Sequence, residues 1–70
     1  MKRKANNNIG QQLRVLRGTA SQASVAAALG ITASAVSQYE RGERIPNDAL
    51  KMAYAQLYGR TVDELFFKAQ

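Results

Sequence analysis

Residues 30–46, G-I-T-A-S-A-V-S-Q-Y-E-R-G-E-R-I-P, constrain this chain more than any other stretch. Gly30 can take a positive φ and end one helix, and Thr32 offers a hydroxyl where the next helix needs an N-cap acceptor. Helix end and helix start therefore fall within residues 30–32. Residues 33–41 contain neither Gly nor Pro, then Gly42 supplies a stop and Pro46 forbids continuation. On a 3.6-residue period Val36 and Tyr39 share one side, while Ala33, Ser34, Ser37, Gln38 and Arg41 spread over roughly 140° of the other. That outer face is short, polar and almost free of charge. A solvated helix face usually carries Lys and Glu, so this composition points to a surface that approaches something closely.

The residues before Gly30 complete a pattern. Ser21 reads as an N-cap, and Val25 and Leu29, at i and i+4, mark a buried side. Two helices joined by a tight turn cross closely only if the residue at the crossing is small, the turn holds a Gly, and an apolar residue plugs the angle. With Gln22 counted as one, Ala26 is five, Gly30 is nine and Val36 is fifteen. Apolar Val25, Leu29, Ile31 and Tyr39 fall at four, eight, ten and eighteen, which is the spacing of a helix-turn-helix.

The flanks read as further helices. Asn8 is placed to cap a first helix with Gln11 as its reciprocal partner, and Ile9, Leu13 and Leu16 form its apolar stripe, with Arg14 and Arg17 alongside. Gly18-Thr19 ends it. Asn47 or Asp48 caps a fourth helix whose apolar side is expected from Leu50, Tyr54 and Leu57, with Met52, Ala55 and Tyr58 nearby; Gly59 closes it. Thr61 and Glu64 form a capping box ahead of Leu65 and Phe66. Phe66, Phe67 and Tyr58 either complete this core or cover a partner. The expectation is a compact all-α domain of five helices over residues 9–67, with a flexible basic arm at 1–8 and a short tail at 68–70.

Composition narrows the function. The 70 residues contain no Cys and no His, which removes disulfides, the usual zinc ligand sets and His- or Cys-based nucleophilic catalysis. Asp48, Asp63 and Glu64 sit at helix starts, Glu43 lies among arginines in a loop, and neither a P-loop nor a dinucleotide-binding turn is present. The reading is a non-enzyme without metal or cofactor. Apolar runs are short and residues 1–8 lack the apolar stretch of a signal peptide, so a soluble, cytoplasmic protein with no membrane partner is expected. The formal net charge is +5, and its placement is uneven. Residues 1–46 hold Lys2, Arg3, Lys4, Arg14, Arg17, Arg41 and Arg44 against Glu40 and Glu43, whereas residues 47–70 balance. Such a half suits a polyanion, although charge also serves solubility.

The segments I9-G-x-x-L-R-x-L-R17, S21-Q-x-x-V-A and L29-G-I-T-x-S-x-V-S-Q-Y-E-R-G-E-R-I-P46, with L57-Y-G-R-T-V-D-E-L65, closely resemble the lambda-repressor-like helix-turn-helix family, also called the Xre type. The resemblance covers residues 9–66, and S-Q-Y-E-R-G-E-R-x-P is its most specific part. Two features depart from it: the connection between Arg17 and Ser21 is about two residues shorter than usual, and Arg60 stands where a small apolar residue is usual.

The resemblance implies a double-stranded DNA partner, an operator with inverted-repeat symmetry, and a transcriptional regulator of the repressor kind that inserts its third helix, residues 32–41, into the major groove. It implies that Ala33, Ser34, Ser37 and Gln38 face base edges, and that Gln22 and Arg41 meet the DNA backbone. It also implies that Arg17 pairs with Glu40 as a structural pair between helices 1 and 3, and that a homodimer forms near helices 4 and 5. From residue chemistry, Gln38 is the best direct reader, through an amide pair to adenine N6 and N7; Arg44 reads either as a phosphate contact or as part of a solvated cluster offset by Glu43, and the arm cations Lys2, Arg3 and Lys4 either as phosphate contacts or as a disordered terminus. Tyr39 reads as core. Two other classes stay open: an antitoxin-like or adaptor module that holds a protein partner, with DNA binding secondary, and a sequence-tolerant nucleic-acid coat. The proposed face lacks aromatics for stacking on single strands, which argues against the second.

Overall fold

The computed structural model describes residues 5–67. Lys2, Arg3, Lys4 and residues 68–70 lie outside the described residues. Five helices follow one another with no strand among the described residues: α1 Ala5–Arg17, α2 Gln22–Leu29, α3 Ala33–Glu40, α4 Asp48–Tyr58 and α5 Val62–Phe66.

Local chemistry sets most of these boundaries. The Ser21 hydroxyl accepts from the Ser24 N–H at 3.0 Å and the Thr32 hydroxyl from the Ala35 N–H at 3.0 Å. Gly30 takes φ 72°, and the Ile31 N–H reaches back to the Ala26 carbonyl at 2.9 Å, so α2 ends in a left-handed turn that feeds directly into the α3 cap. Asn47, rather than Asp48, caps α4, its side-chain oxygen accepting from Leu50 N–H at 2.9 Å. The capping box at Thr61 and Glu64 closes in both directions, at 2.9 and 3.0 Å. The short corner between α1 and α2 turns at Gly18, φ 60°, and is tied by Arg17, whose Nη1 donates to the Ala20 carbonyl at 2.7 Å.

Two expectations need correction. The first helix begins at Ala5, so Asn8 lies inside it rather than at its cap. Once Ile9 and Leu13 are packed, each preceding residue extends an existing helix without a new nucleation step, and the modest propensity cost of Asn does not stop it. On α4 the buried residues are Tyr54 and Ala55, with Leu50 and Tyr58 packed beside them, while Leu57 and Met52 are 40% and 64% exposed. The helix is apolar on several sides, and the packing of its neighbours, not its own periodicity, selects which side turns inward.

All five helices contribute to the core: Ile9 and Leu13, Val25 and Ala26, Val36 and Tyr39, Tyr54 and Ala55, Leu65 and Phe66. Tyr54 is its centre. It is fully buried, and its ring meets Tyr39 edge-on at 6.2 Å between centroids, Phe66 at 6.3 Å and Tyr58 at 5.8 Å. Pairs of this kind are worth about 0.5–1.5 kcal/mol each beyond area burial. Phe67, by contrast, stays 57% exposed.

Gly10 has a role that periodicity does not reveal. A Cβ added there would sit 2.2 Å from the Glu40 carbonyl oxygen and 2.8 Å from that of Tyr39, so α1 crosses directly against the backbone at the end of α3. Gly10→Ala gains up to about 1 kcal/mol in helix propensity. It should nevertheless lower unfolding free energy by about 3 kcal/mol, because the obstructing atoms are backbone. Urea unfolding checks this, and an unchanged or higher midpoint contradicts the close crossing.

The Tyr54 and Tyr58 hydroxyls are buried with no hydrogen-bond partner among the described residues. Burial pushes both above the ordinary tyrosine value. The folded chain then keeps protons that the unfolded chain releases above pH about 10, so stability is full below that pH and falls as pH rises further. Tyr54→Phe should leave stability at neutral pH unchanged or raise it by up to about 1 kcal/mol. It should also lose less stability than the parent between about pH 9 and about pH 11, as read by urea midpoints. An equal alkaline loss contradicts the assignment.

Candidate nucleic-acid interface

The candidate face on α3 is held from behind by one buried carboxylate. Glu40, the last residue of α3, is 6% exposed and is the one buried charged residue among the described residues. Burying a carboxylate is costly unless donors replace its water. Here Arg17 of α1 donates from Nε to Oε2 at 2.7 Å and from Nη2 to Oε1 at 3.1 Å. Gln22 of α2 donates from Nε2 to Oε1 at 3.0 Å. The planar guanidinium matches the carboxylate fork, and its hydrogen bonds to Glu40 hold Arg17 above its ordinary pKa against burial, which acts the other way. One side chain thus ties the ends of α1, α2 and α3 together, at the residue whose backbone Gly10 already touches.

The outward face divides in two. At the start of α3, Ala33 and Ser34 are exposed. Toward its end, Ser37 and Gln38 are half-buried, and each is engaged by an arginine from the following loop. Arg41 donates to the Ser37 hydroxyl and, through Nε and Nη2, to the Glu43 carboxylate at 2.9 and 3.0 Å. Their mutual hydrogen bonds raise Arg41 and lower Glu43, but both side chains are more than half exposed, so this pair adds little to stability. Arg44 donates from Nη1 to Gln38 Oε1 at 3.0 Å, and its guanidinium carbon lies 5.3 Å from the centre of the Tyr39 ring.

The loop geometry explains that contact. Gly42 takes φ 76°, its N–H bonds the Tyr39 carbonyl at 3.2 Å, and the Glu43 N–H bonds the Gln38 carbonyl at 2.9 Å. This left-handed helix end folds the chain back and returns Arg44 to the turn that carries Gln38.

The structure therefore brings together Ser37, Gln38, Arg41 and Arg44, and places Ala33 and Ser34 beside them on the same helix. Gln22 directs its amide N–H to Glu40. Sequence reasoning missed the Gln22–Glu40, Arg41–Ser37 and Arg44–Gln38 bonds. A glycine able to reverse the chain just after α3 is the signal that could have located the last of these. Among the described residues no group of three or more acidic side chains is placed to hold a metal ion, and no helix is long and apolar enough to cross a membrane.

Residues 8–65 match the helix-turn-helix domain family. The chain belongs to that family. Its five-helix arrangement is the lambda-repressor-like fold, similar to a crystal structure of the P22 c2 repressor protein in complex with synthetic operator 9T, with a TM-score of 0.81 and 28% sequence identity. The match covers 84% of this chain and 92% of that one. No curated protein matches the sequence. Within this helix-turn-helix domain, α2 and α3 are the helices of the motif, and the Glu40 cluster joins both to α1.

Removing Arg17 leaves the Glu40 carboxylate buried and short of its main partner. Arg17→Ala should lower unfolding free energy by about 3 kcal/mol, while the double replacement Arg17→Met with Glu40→Leu should recover most of that loss. Both are read by urea unfolding. A loss from Arg17→Ala no larger than that of an exposed arginine contradicts the role of the cluster.

Proposed function

We propose that this protein is a sequence-specific double-stranded DNA-binding transcriptional regulator, a repressor that inserts α3 into the major groove and occludes a promoter. The observation that carries this reading is the face of α3. Ala33, Ser34, Ser37 and Gln38 form a short, uncharged polar surface flanked by Arg41 and Arg44, on a fold similar to a repressor solved with its operator. Small side chains let the helix approach base edges, and the flanking guanidinium groups suit phosphates.

In this reading Gln38 is the principal direct reader. Ala33 touches a thymine methyl, and Ser34 and Ser37 make permissive contacts that accept several bases. Arg41 reaches the backbone at the end of α3, where Arg44 stands beside Gln38; Gln22 does so at the start of α2 with its unspent amide groups, and Lys2, Arg3 and Lys4 add an arm along the duplex. Exposed Met52, Leu57 and Phe67, all on or next to α4 and α5, support a homodimer through that end, which would set two copies of α3 on an inverted repeat.

Selection from a random duplex pool at near-physiological salt tests the reading. It should return an inverted repeat with half-site centres about one helical turn, roughly 34–36 Å, apart. Failure to enrich any sequence, with binding that disappears as salt rises, contradicts it and leaves only phosphate attraction.

A further inference from the structure

The Arg44–Gln38 contact has a chemical consequence for which base is read. A guanidinium only donates hydrogen bonds, so the amide atom that faces it must be the oxygen, as the 3.0 Å bond to Oε1 shows. The contact also has a fixed support. Arg44 lies over the ring of Tyr39, which is buried and held edge-on by Tyr54.

Adenine offers one acceptor and one donor on its major-groove edge, N7 and the N6 amino group, and a glutamine satisfies both only by presenting its N–H and its oxygen together. The oxygen keeps a second lone pair but is aimed at Arg44, so the groups the pair offers in greatest number are the Gln38 amide N–H and the unspent N–H groups of the guanidinium. Guanine offers two acceptors, N7 and O6, to such a surface. Resting on the DNA-binding reading above, we propose that Arg44 is a specificity-determining residue: by holding the Gln38 oxygen it makes Gln38 one half of a donor-rich reader that favours guanine where a free glutamine selects adenine. Arg44 on its own as a phosphate contact has a different signature, a uniform loss of affinity across all sequences.

The test has two arms. In the free protein, the side-chain amide resonances of Gln38, followed by 15N-resolved NMR, should move on Arg44→Ala. Unchanged resonances show that the pair does not form and overturn the proposal whatever the fate of DNA binding. In the second arm, sites are selected from a random duplex pool with the parent, Gln38→Ala and Arg44→Ala proteins. The parent should enrich guanine at the position whose preference Gln38→Ala abolishes, and Arg44→Ala should switch that position from guanine to adenine, a change in relative affinity of about tenfold or more. Adenine in the parent selection, an unchanged base preference in Arg44→Ala with uniformly weaker binding, or no position altered by Gln38→Ala each overturns it. A parent protein that enriches no sequence at all contradicts DNA reading itself, and is distinguished from these outcomes because it appears before any substitution is made.

Discussion

The Glu40 carboxylate is the point on which the molecule's geometry depends. Its backbone ends α3 and lies against Gly10 of α1, and its side chain takes two donors from Arg17 and one from Gln22. A buried charge held this way contributes little net stability compared with well-packed apolar groups, yet each donor is costly to remove. The benefit is orientation. Three helices that share one carboxylate have a single arrangement that satisfies it, so the outward side of α3 is presented at a defined angle.

The core supports the same end from beneath. Tyr39 sits one residue before Glu40, faces inward, and meets Tyr54, which in turn meets Tyr58 and Phe66. The aromatic cluster thus joins α3 to α4 and α5, while the Glu40 ion pair joins it to α1 and the Gln22 amide joins it to α2. Tyr39 has a further use at its edge, because its ring also carries the Arg44 guanidinium that holds Gln38. Packing, charge and the candidate readers are linked within the last turn of α3 and the loop that follows. A chain this short buries only about 60% of its unfolded surface, and concentrating its constraints at one turn is a way to fix an interface with few residues.

How much of this was legible in the sequence follows from the range of each interaction. Caps at Ser21, Thr32 and Thr61 and the turn at Gly30 depend on neighbours within a few residues, and local rules found them, while at α4 they left Asn47 and Asp48 as alternatives. Ala26 and Val36 were legible because the helix-turn-helix spacing ties them to Gly30. The face of Leu57 was misread because α4 has apolar residues around most of its circumference, and only its tertiary neighbours choose among them. The close crossing at Gly10 is not visible to local rules, since the carbonyls it makes room for lie some thirty residues on. The link between Arg17 and Glu40, 23 residues apart, entered through family resemblance and not through periodicity. Arg44 was placed with phosphates by its charge alone; its return to Gln38 depends on the reversal at Gly42, which a count of charges does not contain.

If α3 reads DNA as proposed, Glu40 acts on recognition by fixing the helix angle, and simple electrostatics makes the opposite forecast for it. Glu40→Gln keeps the side chain's shape and removes a negative charge close to the proposed DNA surface. The decisive measurement is the affinity of this variant for the selected site and for random duplex at one salt concentration. The geometric account predicts weaker binding to the selected site with little change on random DNA, because α3 loses its fixed angle while the phosphate-seeking cations remain. Tighter binding to both duplexes by the same factor would show that the carboxylate acts only as a repelling charge, and would contradict the account.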